Sequence, residues 1–178
     1  LISYVHLKTN QMNRIFFFFI FLMPLIAEAQ LQIQCVDSNR ANPFYRCDDP
    51  TFNPICGCNN VTYRNGCEMT NIGGVEFPSQ FENGVCRKDF YYHFISPNPA
   101  TTKLDFRMQF AEQSKTSVTI QIIDVFGNVV LTRLLNNVEE FSTSPQTIFL
   151  SDIETGVYTF IVQAGGVFRV TKFVKYTF

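Results

Sequence analysis

Histidine is scarce in this chain: there are two in 178 residues, His6 and His93. No Ser-His-Asp or Cys-His set can be assembled from His93 and the cysteine-rich segment, so hydrolytic catalysis lacks its base and an enzyme is not expected. Basic charge is equally short, with 14 Lys/Arg against 15 Asp/Glu and a formal net charge of −1. A chain without a basic stripe is a poor nucleic-acid ligand, which removes that partner. The nine glycines are scattered through turns and build no phosphate cradle, so no nucleotide cofactor is expected. Beyond residue 29 no apolar run approaches the ~20 residues of a membrane-spanning helix. Cysteine is missing after Cys86, and all six cysteines fall between Cys35 and Cys86.

What is present begins with a leader. From Met12 the chain reads MNRIFFFFIFLMPLIAEAQ. Arg14 is a short basic start, Ile15 to Ile26 an apolar core, and Ala27-Glu28-Ala29 a small-x-small cleavage signal. This is the pattern of a secretory signal peptide cut before Gln30. Residues 1–11 precede the expected start at Met12. The organisation expected is therefore 1–29 for the upstream residues and leader, 30–88 for a cysteine-rich module, and 89–178 for a cysteine-free one.

An even number of cysteines, packed into a short exported segment, reads as three disulfides. Structural zinc would call for paired C-x-x-C units or histidines, and the segment has neither, so no metal is expected. The bridges answer a physical need. The segment has few large apolar residues, among them Ile55, Tyr63, Met69 and Phe81, and too small a core to hold itself. Each native bridge adds about 2–4 kcal/mol, chiefly by restricting the unfolded chain.

Within this module Pro54–Met69 reads PICGCNNVTYRNGCEM. Pro54, Cys56, Gly57, Asn59, Thr62, Tyr63, Asn65 and Cys67 match the pattern P-V-C-G-x-D/N-G-x-T-Y-x-N-x-C, with Ile55 for valine and Asn60 for glycine. The segment from Cys35 to Cys86 thus resembles a Kazal-type serine protease inhibitor domain. One cysteine is displaced: Thr70 stands where the animal domains carry a helical cysteine, and Cys58 is found instead. The resemblance implies a small disulfide-rich α+β fold, with a short helix starting near Asn65–Cys67 on an antiparallel hairpin. It also implies the pairs Cys47–Cys67 and Cys56–Cys86, leaving Cys35 with Cys58.

The family works by presenting a rigid loop to a protease, held at both ends so that docking costs little entropy. That loop is here Asp48, Asp49, Pro50, Thr51, Phe52, Asn53 and Pro54. Asn65 stands where the family's asparagine supports the loop, and it is also placed to cap the helix. Counting from Cys47 makes Asp49 the primary specificity residue; counting back from Cys56 makes it Pro50. Both place proline at or beside the bond a protease would attack, where its fixed φ and missing N–H disfavour the usual extended geometry. If Asp49 is presented, an acid-specific endopeptidase is the expected target. The alternative is a Kazal-like binding or surface module that inhibits nothing.

The remainder has another texture. Leu104, Phe106, Met108 and Phe110 alternate with polar residues, as do Val118, Ile120 and Ile122. Period-two patterning marks half-buried strands. Asp124–Asn128 (DVFGN) and Ala164–Gly166 (AGG) read as turns, the second closing a hairpin. About seven short strands argue an all-β, immunoglobulin-like sandwich.

The stretches SPNPATTKLDF, IQIIDVFGNVV, LSDIETGVYTFIV and the basic end TKFVKYTF carry Asn98, Pro99, Gly127, Gly156, Tyr158, Lys172 and Lys175 in a recognisable order. This region resembles the C-terminal sorting domain of the type IX (Por) secretion system. Lys172 and Lys175 fit equally a recognition role or edge-strand charges that block aggregation. The resemblance implies a chain secreted or attached to the outer-membrane surface by way of the periplasm. Its implied partners are the type IX machinery and a serine protease, and a monomer is expected.

Overall fold

In the computed structural model of the chain, residues 35–76, 81–139 and 144–177 are described. The leader and its cleavage point lie outside the described residues. Contacts divide the chain after Ile33, and residues 34–178 cluster as one unit.

The cysteine-rich part is built on three two-residue strands, β1 (Ile55–Cys56), β2 (Thr62–Tyr63) and β3 (Glu82–Asn83), in the antiparallel order β2-β1-β3. Between β2 and β3 runs a π-type helical segment, Glu68–Ile72. The N–H of Gly73 bonds the carbonyl of Glu68, five residues back, at 3.0 Å. Ile55, Tyr63, Met69 and Val75 form a small buried cluster. Gly74 closes the segment with φ +64; a Cβ there would meet the Asp37 carbonyl at 2.4 Å, so only glycine fits. Three disulfides hold this part: Cys35–Cys58, Cys47–Cys67 and Cys56–Cys86. They do what four buried side chains cannot.

Seven longer strands follow: β4 (Tyr91–Ser96), β5 (Lys103–Phe110), β6 (Thr116–Ile123), β7 (Val129–Val138), β8 (Gln146–Phe149), β9 (Gly156–Ala164) and β10 (Val167–Lys175). They form two antiparallel sheets, β4-β5-β8 and β10-β9-β6-β7. The alternating residues of β5 and β6 point into one core shared by both sheets, joined there by Tyr158, Phe160 and Val162 of β9. Phe106 of one sheet lies 5.7 Å, ring to ring, from Phe160 of the other. Each large side chain removed from water contributes about 1.5–3 kcal/mol, and the core clusters on the two inner faces.

Strand β10 alternates in burial, but its polarity does not follow. Its inward positions near the start are polar, Arg169 and Thr171, while Phe168 and Val170 face solvent at 71% and 59% exposure. The reversal follows from what lies beneath: Arg169 meets Asp89, and the hydroxyl of Thr171 meets His93. Gly165 and Gly166, with φ +55 and +79, make the two-residue turn from β9 to β10. A side chain on Gly165 would strike the ring of Phe90.

Candidate functional site

The loop Asp48–Pro54 leaves Cys47, which is bridged to Cys67 at the start of the helical segment. It re-enters the small sheet at Cys56, bridged to Cys86. Asp48, Asp49, Pro50, Thr51 and Asn53 are exposed, Phe52 is half-buried and Pro54 is buried. The return limb is stitched down by the backbone: Asn53 N–H donates to Arg64 O at 3.0 Å, and Gly84 N–H to Pro54 O at 2.7 Å.

The outward limb depends on one side chain. Asn65, only 2% exposed, sits between β2 and the helical segment. Its Nδ2 donates to the carbonyls of Asp49 at 3.3 Å and Thr51 at 3.0 Å, with Thr51 Oγ1 at 3.5 Å. Its Oδ1 accepts the N–H of Glu68 at 3.1 Å. Loop support and helix capping are therefore made by the two ends of the same amide. Asp49 turns its carboxylate back into the loop, where Oδ1 accepts the Thr51 N–H at 2.9 Å. The backbone and side chain of Thr51 hold that carboxyl below the usual carboxylate value.

Phe52 faces the large sheets. Its ring stacks on Tyr92 of β4, centroids 6.1 Å apart and planes 17° apart. Beside it the Arg64 guanidinium lies 4.5 Å over the ring of Phe94 and pairs with Glu68 at 3.1 Å. Asp89 joins the two parts of the chain. Its Oδ2 accepts the Thr62 hydroxyl at 2.7 Å, and its Oδ1 meets Arg169 of β10 at 2.6 Å. Thr62 Oγ1 in turn accepts the N–H of Cys86 at 3.0 Å. Burial, and then the charge of Glu68, push the Tyr92 hydroxyl upward. No sequence signal marked Phe52–Tyr92 or Thr62–Asp89–Arg169, because each pairs residues brought together only by the packing of distant strands.

His93 is buried against Thr171, with Nε2 2.9 Å from the hydroxyl. Burial, and then the neighbouring Arg169 charge, push its pKa down to about 4. It is neutral at pH 7 and belongs to the packing between β4 and β10. Tyr91, next to it in sequence, donates its hydroxyl to Val162 O at 2.7 Å and is pushed up to about 12 by burial.

The residues expected for the sorting motif lie near one another along β9 and β10, with one outlier. Asn98 lies along the edge of β10: Nδ2 donates to Lys172 O and Oδ1 accepts Val174 N–H, both at 3.1 Å. Pro99 follows it, and Ala100 continues the edge, donating to Val174 O at 2.8 Å and accepting Tyr176 N–H at 3.0 Å. Lys175 pairs with Gly156 across β9 and β10, and Phe173 with Tyr158. The Tyr158 hydroxyl donates to Glu154 O at 2.9 Å. Gly127 stands apart in the Asp124–Asn128 turn with φ +88, in a bend closed by the Asp124 carboxylate on the N–H groups of Phe126 and Asn128. Lys172 is exposed. Lys175 is 5% exposed, with Nζ bonded to Thr177 Oγ1 at 3.0 Å, so it is not a solvent-facing edge charge.

Among the described residues no cluster of three or more His, Cys, Asp or Glu could hold a metal, and no helix is long and apolar enough to cross a membrane. No curated protein matches the chain. Among solved structures, the crystal structure of dimeric latent PorU from Porphyromonas gingivalis is similar at 16% identity and a TM-score of 0.42. The match covers 80% of this chain and 18% of that one. Residues 95–176, from the end of β4 to just past β10, match the family of secretion system C-terminal sorting domains.

Proposed function

We propose that the chain is an exported protease inhibitor: a Kazal-type module that presents the loop Asp48–Pro54, carried to the cell surface or the medium by a type IX sorting region. The clamp of Asn65 on the carbonyls of Asp49 and Thr51 carries this reading. An inhibitor loop must hold its bound shape before it meets the protease, so that ordering is not lost from the binding energy. A buried amide gripping the loop on both sides of one residue, between two disulfide anchors, supplies that rigidity. Nothing in the reading calls for a catalytic role, and the inhibitor acts as a monomer with no cofactor.

The test has two arms. The oxidised chain is assayed against serine endopeptidases of different specificity, where inhibition that disappears on reduction of the disulfides is expected. In the second arm residues 89–178 are deleted in a type IX-competent bacterium, and the remaining module should stay in the periplasm. If the truncated module still reaches the surface, the export assignment falls. If neither the wild-type loop nor its variants Asp49→Lys and Pro50→Lys inhibit any protease while all three disulfides are intact, the module is a non-inhibitory binding module. The packing of Phe52 onto Tyr92 favours that second reading, since it occupies one flank of the loop.

A further inference from the structure

We infer that the residue this loop presents is Pro50, and that its partner is a serine endopeptidase whose primary pocket accepts proline. The inference rests on the inhibitor reading and deepens it. Counted along the chain, Asp49 and Pro50 are equal candidates. The geometry separates them.

Asn65 holds the carbonyl before Pro50 and the carbonyl after it with a single nitrogen, at 3.3 and 3.0 Å. Pro50 is thus the one residue between the two whose carbonyls are held, and its own ring is left in solvent. Its neighbours are engaged elsewhere. The Asp49 carboxylate accepts the N–H of Thr51 at 2.9 Å, so entering a protease pocket would break a bond that holds the loop together. Phe52 is stacked on Tyr92. What remains to enter a pocket is a compact, uncharged ring.

The chemistry of that ring selects the pocket. A deep acidic or basic pocket filled by three methylenes leaves its charge desolvated and unpaired, which costs several-fold in affinity at least. A long aromatic slot is left partly empty, with its dispersion contacts unmade. Proline also has no N–H to give to the enzyme backbone. A shallow apolar pocket that makes no demand on that N–H loses none of these terms. Such a pocket belongs to an enzyme that cleaves after proline.

The test uses the full oxidised chain and four proteases: a post-proline serine endopeptidase, trypsin, chymotrypsin and an acid-specific endopeptidase. The wild type should inhibit the first and leave the other three unaffected. Pro50→Ala should weaken that inhibition by on the order of tenfold or more. Pro50→Lys should transfer inhibition to trypsin. If Asp49→Lys gains trypsin inhibition and Pro50→Lys does not, Asp49 is the presented residue; the inference is overturned and the inhibitor reading stands. If Pro50→Lys inhibits trypsin but the wild type ignores the post-proline enzyme, the partner class is overturned. If both lysine variants are inert with all three disulfides verified by mass mapping, the inhibitor reading fails and this inference fails with it.

Discussion

Phe52 of the exposed loop lies ring to ring on Tyr92 of β4, with 6.1 Å between centroids and 17° between planes. The loop is therefore held from two directions: by Asn65 on its outward limb and by the β-sheet region on its return limb. A double-mutant cycle of Phe52→Ala and Tyr92→Ala should return a coupling of about 0.5–1.5 kcal/mol in chemical denaturation. Additive single effects would mean that the two rings do not contribute to each other's packing.

Asn65 carries two separable tasks. Asn65→Ala should destabilise the cysteine-rich module by roughly 1–2 kcal/mol, since it leaves the Asp49 and Thr51 carbonyls and the Glu68 N–H without their partner. Asn65→Asp keeps an oxygen for the Glu68 N–H but replaces the donor with a carboxylate oxygen facing two carbonyls. It should preserve slow hydrogen exchange at Glu68 while making the Asp48–Asn53 segment sensitive to proteolysis. Equal protection of both regions in the aspartate variant would show that the clamp is not what orders the loop.

His93 makes the stability of the folded chain sensitive to mild acid. Its ordinary value of 6.5 is lowered to about 4 by burial and then by Arg169, so the unfolded chain binds the proton first. The stability this contributes is present above pH 6.5 and is lost progressively as pH falls toward 4, up to roughly 3 kcal/mol across that window. Arg169, Asp89 and the hydroxyl of Thr171 face the same packed region. His93→Gln should flatten the slope of stability against pH over that interval in denaturant titrations. An unchanged slope would place the acid sensitivity elsewhere.

Asn98 acts on β10 as a neighbouring strand would, taking the N–H of Val174 and giving a donor to Lys172 O. Asn98→Ala should cost about 1 kcal/mol and speed hydrogen exchange at Val174 well before that at Phe160. Asn98→Asp, which keeps the acceptor alone, should protect Val174 better than alanine does. If exchange at Val174 is the same in all three proteins, the edge is held by Ala100 alone.

The alternation of apolar and polar residues in β5 and β6 was legible in the sequence because a strand's two faces are set by a local period of two. Three disulfides were legible as a number, because an exported segment with so few large apolar residues has little else to hold it. Their pairing came from family resemblance, and the structure joins the same pairs. The sorting region could be read from its motifs, and residues 95–176 match that family. Other features had no local signal. Counting along the chain left Asp49 and Pro50 equivalent; that a side chain on another element, Asn65, would grip the carbonyls on either side of Pro50 had no local signal. Lys172 and Lys175 are the same residue type three positions apart, yet one is exposed and the other buried, because an odd spacing on a strand places them on opposite faces. In β10 the polar residues turn inward because Asp89 and His93 wait there, and nothing in VFRVTKFVKY announces them. Local patterns record which residues avoid water and which cysteines need partners. Which distant group each polar side chain meets is set only when separate strands pack.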